Sequence, residues 1–250
     1  MFPLRDNIPT ERIPWVTISL IVANVLSYFL FQHGTITLGS PSDHAYLCNL
    51  YEYGTIPREI THPDFHVQVR GCGHFDTPSW LTLFTSMFMH GGLLHLGGNM
   101  LFLWIFGNNV EDSMGPVRYI VFYLLGGLAA DAGQILFSLN SLVPSLGASG
   151  AIAGVLGGYL VLFPRARVVT LVFIIFFFTI LELPAILFLG IWIIEQAVFA
   201  YFDLVQPSST GGGGVAYFAH LGGFLFGLLF IRLFASERRR RIQADRAGLT

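Results

Sequence analysis

Long apolar stretches separated by short polar segments dominate the chain. The candidate membrane-spanning segments cover about residues 14–32, 80–106, 117–139, 149–163, 183–204 and 216–235. A helix needs about 20 apolar residues to cross a bilayer, and the fourth stretch falls short of that length. Another apolar run, residues 168–180, is short and β-branched, so the pattern leaves it unassigned. The sequence therefore predicts an all-α membrane protein, a compact bundle of six transmembrane helices with a short central fourth helix and a long outer loop after the first.

The composition agrees with a membrane protein. Of the 250 residues, 54% are hydrophobic and only 11% are charged, whereas a soluble domain carries roughly 25% charged residues. The net charge of -2 gives no support for nucleic-acid binding. The expected surroundings are therefore the lipid bilayer, and nucleic acid is not an expected partner.

The cysteines and histidines of the long loop do not predict a metal site. Cys48 and Cys72 lie in residues 33–79 with five of the eight histidines, but no tight ligand spacing occurs there. Two cysteines are consistent either with one disulfide bridge or with two free thiols. The sequence leaves that choice open.

The arginines predict the orientation in the membrane. With an internal N-terminus, 11 of the 13 basic residues fall in cytoplasmic segments, as the positive-inside rule favours. The first span is interpreted as a retained anchor, because no obvious small-residue cleavage site accompanies it. If residues 168–180 also crossed the bilayer, this topology would fail. The predicted division is a cytoplasmic segment at 1–12, a membrane domain at 13–235 and a cytoplasmic Arg-rich tail at 236–250.

Polar side chains inside the predicted spans are candidate functional residues, because they are costly to bury in lipid. They are His90, His95, Asn99, Asp131, Gln134, Glu195 and His220. His95 and Asn99 are four residues apart and share one helix face, with glycines on either side. Taken alone, this pair is better explained as a hydrogen-bonded link between helices.

Ser149 stands at the start of the short fourth span, in the sequence Gly-Ala-Ser-Gly. A serine there is either a helix N-cap or a nucleophile that water reaches from above. Small residues recur every four positions on this span and in the sixth span, which predicts close packing of the two helices. His220 would then face Ser149. The small residues expected to pack near this site are Gly147, Gly150, Gly154, Gly223 and Gly227.

Together these residues supply the parts of a serine hydrolase. A serine needs a base such as a neutral imidazole, and the oxyanion that forms needs fixed hydrogen-bond donors. Asn99 offers an amide, His95 a ring N–H, and Ser149 its own backbone N–H at a helix N-terminus. The sequence predicts a hydrolytic site inside the membrane.

The segments HGGLLHLGGNM, GASG and AHLGGFLFG, in this order, resemble those of the rhomboid intramembrane serine proteases, and the resemblance extends over most of the chain. The resemblance implies a rhomboid-type bundle that cleaves transmembrane protein substrates without a metal or cofactor. It implies Ser149 as nucleophile, His220 as general base, His95 and Asn99 as oxyanion donors and His90 as a supporting residue. It also implies a lateral gate formed by the fifth span and residues 205–215, and a bacterial cytoplasmic membrane with the active site opening outward.

One position departs from that family. Many rhomboids carry an aromatic residue four positions after the serine, and Ala153 stands there in this chain. A methyl group cannot stack on an imidazole, so His220 must be oriented by another contact, such as Tyr217, Phe218 or helix packing. Asp131 and Glu195 are expected to border a polar pocket or to pair within the bundle rather than to complete a triad.

Two other functions compete with a protease. A non-catalytic rhomboid-like protein would bind membrane clients, but such relatives usually lack the serine or the histidine. A small transporter would use the intramembrane polar residues as a path, but the chain shows no internal repeat. The sequence does not specify an oligomeric state.

Overall fold

The structure is a computed structural model that describes residues 1–36, 43–174, 177–205 and 215–248. Helices dominate it. They are α1 Trp15–Leu26, α2 His44–Tyr53, α3 Pro57–Thr61, α4 Ser79–Thr85, α5 Leu93–Phe102, α6 Asn108–Met114, α7 Pro116–Phe137, α8 Ser149–Leu162, α9 Ala185–Val205, α10 Tyr217–Phe234 and α11 Glu237–Arg246. The strands are β1 Phe2–Asp6, β2 Arg167–Ile174 and β3 Phe177–Pro184.

Three of these helices are long and apolar enough to cross a membrane, namely α7, α9 and α10. Shorter apolar helices cover Trp15–Phe31 and Ser149–Leu162. Large apolar side chains lie exposed around the bundle, for example Leu233 at 76%, Val117 at 74% and Leu30 at 71%. Apolar exposure on this scale is typical of a surface that faces lipid.

The second candidate span is not one continuous helix. After α4, a single 3₁₀ turn covers Ser86–Phe88, and Met89 is extended before α5 begins at Leu93. Gly92 has φ = 154°, a backbone angle that L side chains rarely adopt, so the helix cannot continue through it. From α5 the chain continues as a π-helical turn, Leu103–Gly107, into α6. The interruption places α5 separately from α4 and positions His95 in the first turn of α5.

Helix α8 is the centre of the bundle, as predicted for a short central helix. Its 14 residues are almost all buried, and it packs with its backbone directly against α10. A Cβ on Gly223 would lie 2.1 Å from the Gly150 carbonyl oxygen, and one on Gly227 would lie 2.0 Å from that of Gly154. The predicted small-residue packing of these two helices is therefore present in the structure, and Gly157 extends it against the Phe224 oxygen.

The unassigned run 168–180 is part of a β-hairpin. Its described residues form most of β2 and the first half of β3, which pair antiparallel from Arg167 opposite Pro184 to Ile174 opposite Phe177. Strand β1 adds antiparallel to β2, and the sheet order is β1-β2-β3. β-branched and aromatic residues favour strands. The run is therefore not a seventh spanning helix.

Side-chain hydrogen bonds attach the N-terminal segment to the bundle. Both oxygens of Glu111 accept from the first turn of α1, at 2.8 Å from the Thr17 backbone nitrogen and 3.0 Å from that of Val16. The Asp6 carboxylate accepts from the Tyr159 hydroxyl and the Asn109 amide, each at 2.6 Å. Burial raises the pKa of Asp6 to about 7. These contacts place β1 at the end of α8 opposite Ser149.

The outer loop and the C-terminal tail are also structured. Cys48 and Cys72 form a disulfide bridge, which decides between the alternatives that the sequence left open. His44 lies beside them, but the bridge takes up both sulfur atoms. The tail contains α11, whose Gln243 donates to the Asp112 carboxylate at 3.2 Å. The Arg-rich segment thus packs on the bundle through α6.

Candidate active site

Ser149 is the first residue of α8, and its hydroxyl does not cap that helix. The N-cap position belongs to Ala148, with no side-chain capping bond. Gly147, just before it, has φ = 116° and so makes a turn that other residues rarely adopt. The N-cap interpretation of Ser149 is wrong, and its hydroxyl is available for another partner.

That partner is His220, on the first turn of α10. Its Nε2 lies 2.8 Å from Ser149 Oγ, and its Nδ1 lies 2.7 Å from Oε1 of Gln196 on α9. An amide oxygen only accepts, so Nδ1 carries the ring proton and Nε2 of the neutral ring is left as an acceptor for the serine hydroxyl. Gln196 therefore selects the tautomer that a general base requires.

Helix α9 also supplies an aromatic neighbour for the histidine. The Trp192 ring lies 5.7 Å from the His220 ring between centroids, at an interplanar angle of 35°. Trp192 and Gln196 are four residues apart and so share one face of α9. Ala153, the position that departs from the family pattern, is fully buried instead. The orienting contacts for His220 thus come from α9 and not from Tyr217 or Phe218.

The start of α10 is fixed by a second amide. Gln134 on α7 accepts at Oε1 from the backbone N–H of Ala219, at 3.3 Å, and donates from Nε2 to Ser138. The first-turn N–H groups of a helix have no partner within the helix, so a side-chain acceptor there stabilises the turn that carries His220.

His95 lies near Ser149 as well. Its Nδ1 accepts from the Gly91 backbone N–H at 3.2 Å, so the neutral ring carries its proton on Nε2. A Cβ on Gly147 would lie 2.9 Å from His95 Nε2 and 3.5 Å from Ser149 Oγ. The absence of that Cβ lets the histidine N–H and the serine hydroxyl approach the same space.

Asn99 and His90 are both buried, but they differ in their contacts. Asn99 is 7% exposed, and its Nδ2 has no hydrogen-bond partner among the described residues. His90 is completely buried and packs edge-on against the His95 ring at 5.3 Å. Its backbone is held by Gln32, which donates to its carbonyl oxygen and accepts from its N–H, both at 2.9 Å. His90 therefore packs against the His95 ring, and Gln32 fixes the position of the His90 backbone.

Sequence reasoning missed Gln196 and Trp192. The signal that could have found Gln196 is its polar amide in an otherwise apolar helix. The sequence analysis selected its charged neighbour Glu195 instead. In the structure Glu195 is exposed, and Gln196 is the residue that is buried.

Asp131 borders a pocket that Ser149 also lines, which was one of the two expectations for this residue. The proposed gate loop falls largely on residues 206–214, outside the described residues.

The arrangement defines a class of protein: a membrane-embedded helical bundle with a serine–histidine pair at the end of its central helix. The Rhomboid domain family matches residues 77–237, which is more than half of the chain. The chain belongs to the rhomboid family, whose members are membrane-embedded and include serine proteases.

Relatives from bacteria and organelles resemble the chain. Rhomboid protein 1, mitochondrial, from Saccharomyces cerevisiae is 32% identical over 178 residues, which is 66% of this chain and 46% of the yeast protein. Rhomboid protease GluP from Bacillus subtilis is 41% identical over 81 residues, covering 32% of this chain and 15% of GluP. Rhomboid-like protein 11, chloroplastic, from Arabidopsis thaliana is 32% identical over 179 residues, covering 68% of this chain and 59% of that protein. The matches thus span less than two thirds of the length of each of these relatives.

Proposed function

We propose that this protein is an intramembrane serine endopeptidase that cleaves transmembrane segments of other membrane proteins. The observation that carries the proposal is the 2.8 Å contact between Ser149 Oγ and an acceptor nitrogen of His220. Both residues lie in the first turns of helices whose backbones touch, so their relative position is set largely by main-chain packing.

The proposed reaction follows the protonation states that the hydrogen bonds favour. Ser149 Oγ attacks the carbonyl carbon of the substrate peptide while His220 Nε2 takes its proton. The C–N bond of the tetrahedral intermediate then breaks, and the same proton passes to the leaving amine. Water attacks the acyl-enzyme in the second half, with His220 again accepting and returning a proton. Gln196 accepts from Nδ1 throughout and favours the imidazolium that forms transiently.

The oxyanion would be held by three donors. The proposed donors are His95 Nε2–H, the Ser149 backbone N–H and Asn99 Nδ2, and the last of these is buried without a partner among the described residues. A buried donor without a partner is costly, and an oxyanion formed only during the reaction would satisfy it. Such donors stabilise the transition state more than the ground state.

The location is part of the proposal. The arginine distribution supports cytoplasmic termini and an active site that opens on the opposite side, in a bacterial cytoplasmic membrane. The relatives include proteins named for mitochondria and chloroplasts as well as a Bacillus protein.

Labelling with a fluorophosphonate probe tests the activated serine directly. The purified protein in detergent is compared with Ser149→Ala and His220→Ala, and Ser19→Ala, at an exposed serine of α1, is the control. We expect labelling of wild type and of Ser19→Ala only, together with cleavage of a transmembrane reporter protein. A folded wild-type protein that neither labels nor cleaves would refute the proposal and favour a client-binding role.

A further inference from the structure

The β2–β3 hairpin is fixed to the bundle at its base and projects from it towards its tip. At the base, the backbone nitrogen of Ala185 donates to the Ala166 carbonyl oxygen at 2.7 Å, and Val168 is completely buried. At the other end of the hairpin, Phe177 is 78% exposed. Strand β1 pairs with β2 no further than Leu171. Of the strands that the structure describes, only β2 and β3 therefore form the outer half.

The exposed residues of β3 are apolar on both faces of the sheet. Neighbouring residues of a strand point to opposite faces. Phe177 and Phe178 are 78% and 71% exposed, and Ile180 and Leu181 are 58% and 42% exposed. The sequence has no charged residue in 168–181. A protein that docks on a sheet covers one of its faces, whereas lipid surrounds a projecting strand on all sides. Exposure on both faces therefore favours lipid as the partner.

Charged residues are concentrated at the base of the hairpin. Arg167 and Glu182 form an ion pair at 3.6 Å, and their side chains are 68% and 56% exposed. Arg165 precedes β2, and Arg5 lies on β1 opposite Val169; both arginines are exposed. Arginines near a membrane surface are attracted to anionic lipid headgroups. The polarity of the hairpin thus changes from a charged base, suited to headgroups, to an apolar tip, suited to acyl chains.

The apolar surface of the hairpin continues onto a helix that is able to cross the membrane. Strand β3 ends at Pro184 and α9 begins at Ala185. Ile186 and Leu187, in the first turn of α9, are 58% and 47% exposed, and α9 is long and apolar enough to span a bilayer. The base of the hairpin therefore lies where this helix meets the membrane boundary, at the end of α8 opposite Ser149.

The edge of β3 limits how deeply the hairpin can enter. The sheet order β1-β2-β3 leaves one side of β3 without a strand partner in the described part of the chain. Hydrocarbon offers no hydrogen bonds, so open sheet edges do not occur in the core of a bilayer. Water and headgroup oxygens are available near the membrane surface. The hairpin therefore fits a shallow insertion and not a crossing.

We propose that the β2–β3 hairpin is a membrane-inserting element of this protein. Its tip enters the lipid leaflet at the end of the bundle opposite Ser149, and its charged base lies at the level of the headgroups. The expected depth is about 5–10 Å, as for other segments that lie in the membrane interface. The proposal uses no residue of the candidate active site, so it does not depend on the protease function.

Depth-dependent fluorescence quenching tests the insertion. The native Cys48 and Cys72 form a disulfide, so a cysteine introduced under non-reducing conditions is the only free thiol. The fluorophore NBD is attached in Phe178→Cys at the tip, in Ile194→Cys on the exposed surface of α9 and in Asp245→Cys on exposed α11. Each protein is reconstituted in vesicles of phosphatidylcholine and phosphatidylglycerol. The quenchers are aqueous iodide and lipids with a nitroxide near the headgroup or near the chain end.

The three labels should respond differently. We expect the headgroup-proximal nitroxide to quench Phe178→Cys most strongly and the chain-end nitroxide to quench Ile194→Cys most strongly. Asp245→Cys should respond to iodide alone. A tip label that iodide quenches as strongly as Asp245→Cys would overturn the proposal. A tip label that neither iodide nor the nitroxides reach would overturn it as well, because a protein such as a second copy of this chain would then cover the hairpin.

Two further labels test the orientation of the hairpin. Phe177→Cys, on the opposite face of β3, should be quenched like Phe178→Cys, and lipid quenching of only one of them would indicate a one-sided docking face and overturn the proposal. Arg165→Cys, at the base, should be more accessible to iodide than either tip label. The reverse order would overturn the assignment of base and tip. The two phenylalanines are exposed, so failure of one variant to fold leaves the other as the test.

Discussion

Gln196 offers a direct test of the proposed mechanism, because it contacts the His220 ring nitrogen that does not face Ser149. Replacing it by leucine removes the acceptor that lies 2.7 Å from His220 Nδ1. The ring is then free to carry its proton on Nε2, where it cannot accept from Ser149. The imidazolium that forms in the reaction also loses a charge-assisted hydrogen bond.

The size of the effect follows from that bond. A hydrogen bond to a charged group contributes about 1.5–3 kcal/mol, and each 1.36 kcal/mol is tenfold in rate. We therefore expect kcat to fall by about 10- to 150-fold in Gln196→Leu, with little change in KM. Gln196→Glu should recover most of the activity, since a carboxyl oxygen also accepts from Nδ1.

The assay is steady-state cleavage of a transmembrane reporter in detergent, with fluorophosphonate labelling rates measured in parallel. Glu195→Gln is the neighbouring control and should behave as wild type. If Gln196→Leu keeps the wild-type kcat, the tautomer argument is refuted. If both Gln196 variants lose activity and thermal stability together, Gln196 acts only in helix packing.

Three further predictions test the rest of the structure. Gly223→Ala would place a Cβ 2.1 Å from a backbone oxygen of α8, so it should lower the unfolding midpoint in detergent by the equivalent of about 1–3 kcal/mol or more. The control is Gly190→Ala, whose Cβ would meet nothing within 4 Å and which should be neutral. Equal midpoints for the two variants would contradict the close packing of α8 and α10. Asn99→Ala should lower kcat about 10²-fold by removing an oxyanion donor, and an unchanged rate would exclude that role. Burial raises the pKa of Asp6 from 3.8 to about 7, so the folded state disfavours the charged form, and stability should fall as the pH rises from about 4 to 7. The unfolding midpoint of Asp6→Asn should fall less than that of wild type across that window, and a slope like that of wild type would refute the assignment.

The pairing of Ser149 with His220 was predictable because helix contacts in membranes depend on small residues, and these are visible as a four-residue spacing in the sequence. Gly223 and Gly227 meet the α8 backbone at Gly150 and Gly154, as the spacing indicated. Once the two backbones touch at these positions, the residues that begin each helix must lie at the same end of the bundle.

The interruption of the second span was not predictable from hydrophobicity. Residues 80–106 form one apolar stretch in the sequence. Their apolar pattern does not distinguish one continuous helix from two helical segments separated between Met89 and Leu93. The glycines at 91 and 92 enter the sequence analysis only as glycines beside His95. The backbone role of Gly92 is visible through its positive φ.

Gln196 was missed for a different reason. Helix α9 is apolar on all sides, because one face meets the bundle and the others are exposed as lipid would require. Such a helix has no polar face from which its orientation could be deduced. Whether Glu195 or Gln196 points inward is decided by a rotation of about 100° per residue, and only the contact with α10 fixes it.

The serine itself shows how local backbone and distant packing combine. Ala148 takes the N-cap position and Gly147 makes the turn before it, so the Ser149 hydroxyl has no local backbone partner to occupy it. The side-chain oxygen of a serine at the N-cap would instead accept a hydrogen bond from a backbone N–H of the same helix. The shift of one position frees the hydroxyl, and contact between α8 and α10 brings His220 to it. The backbone N–H of Ser149 lies in the first turn and has no partner within the helix, so in the proposed mechanism one residue would offer both the attacking oxygen and a donor for the oxyanion.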